Sequence, residues 1–167
     1  NDYRDWVKQA FPWMLAGMGV LGLGIMLGGY WAYEMLGWGG YWAWDPVENA
    51  SLVPWLILVA GVHTLLIYKH SGHSLRSTYL FLILSFIFVL YSTFLTRSGI
   101  LGEASVHAFT DLGMNGQLYL LLYVFTWLPA FLSATTFNQK LATGITGIVL
   151  LLASNYINVP AIAFLTI

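Results

Sequence analysis

The sequence contains no cysteine. That removes disulfides, thiolate metal ligands and a cysteine nucleophile from this stretch. Charge is almost as scarce. Only 8% of the 167 residues are charged, 6 Lys+Arg against 7 Asp+Glu, and the formal net charge is −1. Soluble domains carry about 25% charged residues. So few cannot cover the surface of a soluble monomer, and a disordered chain needs far more polarity. Without a basic excess there is no field for a polyanion, which excludes nucleic acid as a partner. What is present is apolar: 59% hydrophobic and 17% aromatic residues. They come in long runs rather than amphipathic stripes, which leaves an integral membrane protein.

The expected fold class is all-α, a polytopic transmembrane bundle. A span needs about 20 apolar residues. Five stretches meet that need or nearly so: 11–36, 52–68, 78–96, 117–137 and 141–159, all parts of one transmembrane domain. Pro160 is expected to kink or end the last. The first residues carry Asp2, Arg4, Asp5 and Lys8, and the apolar run after them is too long for a signal peptide. The sequence starts without Met and closes on the apolar run Ala161–Ile167. It is therefore expected to be a piece of a longer polytopic protein.

Orientation follows from basic residues in short connections. Arg4, Lys8, Lys69, Arg76 and Lys140 fall on one side, the expected inner side, and only Arg97 on the other. The loops 37–51 and 97–116 then face the outer compartment together. Gly24 and Gly28 form a GxxxG spacing, read as a helix-packing feature.

The densest chemistry lies in Trp38-Gly-Gly-Tyr-Trp-Ala-Trp-Asp45-Pro-Val-Glu48-Asn-Ala-Ser51, continuing to Trp55. Aromatic rings gather at membrane interfaces as anchors. Asp45, Pro46 and Glu48 also read as a helix start, with Asp45 as N-cap, Pro46 at N1 and Glu48 closing a capping box. Neither reading explains why Trp38, Tyr41, Trp42 and Trp44 crowd together among glycines. A cluster of rings suits a platform for a large planar ligand, because stacked aromatic contacts add about 0.5–1.5 kcal/mol each beyond burial. A tetrapyrrole has that shape.

Four histidines are present. His70 and His73 have H-x-x-H spacing but no third ligand nearby, and read as a solvated inner loop. His107 lies in the second outer loop, either as an exposed side chain or as an axial ligand to haem iron. His63 falls about 16 Å into the second span, where an ionisable group is costly. It is either hydrogen-bonded to a neighbouring helix or ligates a haem within the membrane. Arg97 is a snorkelling anchor or a grip on a haem propionate. Glu34 is its candidate partner.

The run WGGYWAWDPVENASLVPW resembles the tryptophan-rich signature of haem-handling membrane proteins of cytochrome c maturation. The continuation DPVENAS is similar to the CcmF-type haem lyase branch. So is the later YSTFLTRSGIL followed by SVHAF, and the likeness runs from about Tyr30 to Phe109. Gly102-Glu103 lengthens the link before His107 relative to the family pattern, which leaves that placement open.

The resemblance implies several things. The cofactor is haem b, one at the outer platform and one within the membrane. His107 matches an outer-face ligating histidine and His63 the transmembrane one, each with its second ligand elsewhere. Trp38, Tyr41, Trp42, Trp44, Asp45, Trp55 and Arg97 complete the haem-binding set. The activity is covalent thioether attachment of haem to apocytochrome c, with the membrane haem as electron relay. The implied partners are apocytochrome c, a haem chaperone of the CcmE type, thiol-reducing subunits of the CcmH type, quinol and membrane lipid. The location is the bacterial inner membrane with the platform in the periplasm. Two alternatives stay open: a haem transporter or exporter sharing the signature, and a b-type electron-transfer cytochrome subunit.

Overall fold

The structure is a computed structural model that describes residues 3–35, 37, 40–101, 105 and 115–154. All regular structure among them is helical. α1 spans Tyr3–Met35, α2 Pro46–Ser71, α3 Leu75–Arg97, α4 Asn115–Ser133 and α5 Phe137–Ser154. The first three are long and apolar enough to cross a membrane. The chain forms two compact units, Asn1–Val89 and Leu90–Ile167, and α3 runs through both.

In the first unit α1 and α2 pack antiparallel. Lys69 lies over Phe11 at one end. Trp55 meets Met18 further along, its indole N–H donating to the Met18 carbonyl at 3.0 Å. Gly22 makes this possible, since a Cβ there would stand 2.8 Å from the Trp55 nitrogen. Val7, Met14, Val62 and Leu65 form the buried centre, with Trp6, Ala10, Phe11 and Met18 against it. On α1 these positions recur every three or four residues, one face of a helix. α1 is apolar on its other faces too: Trp13, Val20 and Met26 are exposed. In a membrane those faces meet lipid or further spans.

α3 joins α2 through polar contacts. Thr78 is fully buried. Its hydroxyl lies 3.2 Å from the Thr64 hydroxyl and 3.0 Å from the Ser74 carbonyl. Ser85 donates to the Pro54 carbonyl at 3.1 Å. Interhelical hydrogen bonds of this kind are worth about 0.6 kcal/mol in a membrane.

The second unit pairs α4 with α5. Trp127 donates its indole N–H to the Thr143 carbonyl at 3.0 Å, and the Tyr123 hydroxyl donates to the Gly147 carbonyl. Tyr123, Trp127 and Phe131 stack in sequence along α4. Trp127 also packs onto the bare Cα of Gly147, where any side chain would collide with it.

Several helix limits differ from expectation. α1 starts at Tyr3, eight residues before the expected Phe11, because the polar first residues have no helix breaker and continue its turns. The second apolar segment is lengthened at both ends, since its capping residues lie outside the apolar run. The expected turn at 138–140 is already α5. The break comes at 134–136, where Thr136 and Gln139 form a capping box. Gln139 donates its N–H to the Thr136 hydroxyl, and the Gln139 side-chain carbonyl accepts from the Thr136 N–H. This T-x-x-Q pattern was readable in the sequence. The expected kink at Pro160 lies outside the described residues.

Candidate functional site

The tryptophan segment sits in the first unit, between the end of α1 and the start of α2. Two contacts fix it to α1. The Tyr41 ring stacks on Tyr33 with centroids 4.5 Å apart. The Tyr41 carbonyl rests against Gly29, where a Cβ would approach it to 2.8 Å.

On the other side the segment is held by the start of α2. Both halves of the capping box form. Asp45 accepts from the Val47 N–H at 2.8 Å. Glu48 reaches back and accepts from the Asp45 N–H at 3.3 Å and from the Ala43 N–H at 2.9 Å. Asn49 donates its side-chain N–H to the Trp44 carbonyl at 3.3 Å. The carboxylates thus order the segment that carries the rings. Removing a cap of this type costs about 1 kcal/mol. We expect Asp45→Ala to lower the unfolding free energy by that amount, measured by thermal unfolding of the detergent-solubilised protein. An unchanged midpoint would show that the cap contributes nothing.

The backbone at Trp44 is unusual. Its φ is 58°, in the left-handed region. A bulky side chain there costs about 1–2 kcal/mol. The ring is nevertheless not buried: Trp44 is 71% exposed and Tyr41 57%. Trp42 meets Trp44 edge to face at 6.5 Å and 85°. The Trp42 indole nitrogen is shielded from solvent and has no acceptor among the described residues. An unsatisfied donor of that kind costs about 1–3 kcal/mol. The buried Asn49 side-chain oxygen likewise has no donor. The segment therefore presents open aromatic faces, a strained tryptophan and unused polar atoms in one short stretch.

Trp55 stands apart from this group. It lies within α2, and its N–H is taken by Met18. His63 lies further along α2 with its side chain exposed. Its Nδ1 is 2.7 Å from the Val59 carbonyl. A carbonyl only accepts, so Nδ1 donates in this bond, and Nε2 is the ring nitrogen left to face a ligand. His70 and His73 are exposed, and no group of three metal-ligating side chains exists among the described residues. Arg97 is the last residue of α3 and is exposed. Glu34 is exposed near the end of α1. Trp38 and His107 lie outside the described residues.

Residues 1–101 match the family described as cytochrome C assembly protein. The chain belongs to that family. The matched region contains the whole tryptophan segment and His63. The chain is 49% identical to the cytochrome c-type biogenesis protein CcmF of Haemophilus influenzae over 119 residues, 71% of this chain and 18% of that protein. Identity to CcmF of Escherichia coli K12 is 45% over 113 residues, 68% of this chain and 17% of that protein. The cytochrome c-type biogenesis protein NrfE of H. influenzae is 48% identical over 120 residues, 72% of this chain and 19% of that protein. The chain thus spans less than a fifth of the length of these relatives, and it is of the CcmF type. No solved structure matches. The long apolar helices and the family together make it a multi-pass membrane protein.

Proposed function

We propose that the tryptophan segment is the haem platform of a cytochrome c haem lyase, set in the periplasmic face of a bacterial inner membrane. The observation that carries this reading is Trp44. A bulky residue held at positive φ with its ring exposed costs stability without filling a core. Such strain is retained where the ring has work elsewhere. Open faces on Tyr41 and Trp44 suit a flat apolar substrate, and the unpartnered Trp42 N–H suits one of its carboxylates.

In this reading haem is the substrate, delivered by a chaperone of the CcmE type. His107 and a histidine from another part of the protein hold the iron, and Trp38 and Arg97 complete the set of contacts. The platform presents the vinyl groups to the two thiols of an apocytochrome that CcmH-type subunits keep reduced. Each thiol adds across one vinyl, so a carbon–sulfur bond forms and the thiol proton moves to the neighbouring vinyl carbon. The segment contributes position and orientation rather than acid–base chemistry. A thiol on the platform would compete for the vinyls, and the chain has none. His63 would hold a haem b within the membrane. That group supplies a route for electrons from quinol to keep the substrate iron ferrous.

Substitutions at Trp44 test the platform. Trp44→Gly removes both ring and strain, so the full-length protein should be at least as stable as the unaltered one. It should still lose most of its outer-face haem, read from the visible spectrum after purification, and most maturation of c-type cytochromes. Trp44→Phe should retain much of both. Normal haem content and maturation in Trp44→Gly would overturn the platform assignment.

A further inference from the structure

The end of the first unit opposite the tryptophan segment carries a concavity. It measures about 530 Å³ and lies between the start of α1 and the end of α2. Val7, Phe11 and Tyr68 form its apolar side, and Lys8, Lys69 and His70 its basic side. The Lys69 ammonium is held 5.1 Å above the Phe11 ring, a cation–π contact that fixes its direction. Among the described residues Asp5 is its acidic neighbour, 3.3 Å from the Lys8 ammonium and widely exposed. Exposed pairs of that kind contribute little and leave the cation available.

The basic groups are not consumed by capping α2. The Tyr68 carbonyl accepts from the Gly72 N–H at 2.8 Å, and the Ile67 carbonyl from the Ser71 hydroxyl at 2.8 Å. The helix closes on itself through Gly72 at φ 75°. Lys69 and His70 therefore face the concavity, and among the described residues Asp5 is the acidic group beside it. The position is fixed by the two spans: it lies where both leave the apolar part of the membrane for the polar residues 69–77. An apolar wall beneath a basic rim at that depth complements an amphiphile with an anionic head.

We propose that this concavity binds the headgroup of an anionic phospholipid. The lipid phosphate sits between the Lys8 and Lys69 ammonium groups, and the glycerol region lies against Phe11 and Tyr68. A bound lipid would clamp the start of α1 to the end of α2, the ends of the hairpin that carries the tryptophan segment at its tip.

The test uses the full-length protein in nanodiscs containing a photoactivatable phosphatidylglycerol or its phosphatidylcholine counterpart. Cross-links to phosphatidylglycerol are expected in peptides covering residues 7–11 and 68–72, at least tenfold above phosphatidylcholine. A cation held directly against a bound anionic headgroup contributes about fivefold in affinity. Lys8→Gln with Lys69→Gln should therefore lower phosphatidylglycerol binding about 25-fold, while Arg76→Gln with Lys140→Gln, both outside the concavity, should stay within twofold. Three results would each overturn the proposal: equal labelling by the two lipids, equal losses in the two double variants, or displacement of the lipid by millimolar inorganic phosphate. The labelling pattern of the unaltered protein decides the matter even if the first double variant does not fold.

Discussion

In the full-length protein, His63→Ala is expected to remove the membrane haem's share of the low-spin b-type absorption of the reduced state, with His70→Ala leaving it intact. The reason is positional. In a helix rising 1.5 Å per residue, His63 lies about 7 Å past the midpoint of α2, well inside the hydrocarbon. It is exposed on the same face as Val53, Leu56 and Ile67, so it does not serve the packing of α2 on α1. A polar side chain at that depth is costly unless it is bonded or ligated. The Val59 carbonyl takes care of Nδ1, and Nε2 is the atom a metal would use. Maturation of c-type cytochromes should fall with the band, because the proposed electron route is lost. Visible and electron paramagnetic resonance spectra of the purified variant make the check. A low-spin signal of unchanged size in His63→Ala would show that the ligand is elsewhere.

The second large effect is expected at Gly29. Gly29→Ala should reduce maturation of c-type cytochromes by tenfold or more, while the protein still accumulates in the membrane. The added methyl would meet the Tyr41 carbonyl at 2.8 Å. That atom is backbone and cannot rotate away, so the tryptophan segment must move. A shift of about 1 Å in a positioning element can cost 100-fold in rate. Gly28→Ala is the control: a Cβ there meets nothing within 4 Å, and it should behave as the unaltered protein. The pair separates close approach at one glycine from general intolerance of this part of α1. Equal maturation in Gly29→Ala and the unaltered protein would mean that the contact with α1 does not position the platform.

Much of this protein is legible without coordinates. The apolar runs identify the helices, because a helix satisfies its backbone hydrogen bonds within one continuous segment in lipid, and runs of this length are long enough for one. The capping box at Asp45 and Glu48 follows from residue order alone, and it forms. The similar signal at Thr136 and Gln139 is as plain, but the apolar residues after it draw attention to Leu141 instead. Buried faces were not legible. α1 to α3 are apolar almost all round, so hydrophobic periodicity does not separate Val7 and Met14, which are buried, from Trp13 and Val20, which are not.

The candidate site divides in the same way. Residue types and spacing single out Tyr41, Trp42, Trp44 and His63. They do not separate Trp55, whose indole N–H is spent on α1, from the rings left open. Nor do they show that the tryptophan at position 44, rather than a neighbouring glycine, takes positive φ there. The basic concavity was invisible because Lys8 and Lys69 are 61 positions apart.

The sequence by itself determined that this chain lives in a membrane, where its helices lie and which short segment carries the aromatic chemistry. Those follow from composition and local order, the scale on which lipid burial and helix capping act. The tertiary structure alone decided that Gly29 and Gly22 let the tryptophan segment and Trp55 press onto α1. It also decided that His63 turns outward and that two distant lysines share one concavity. Close approach and shared space depend on residues far apart in the chain, and only the packing of one helix on another brings them together.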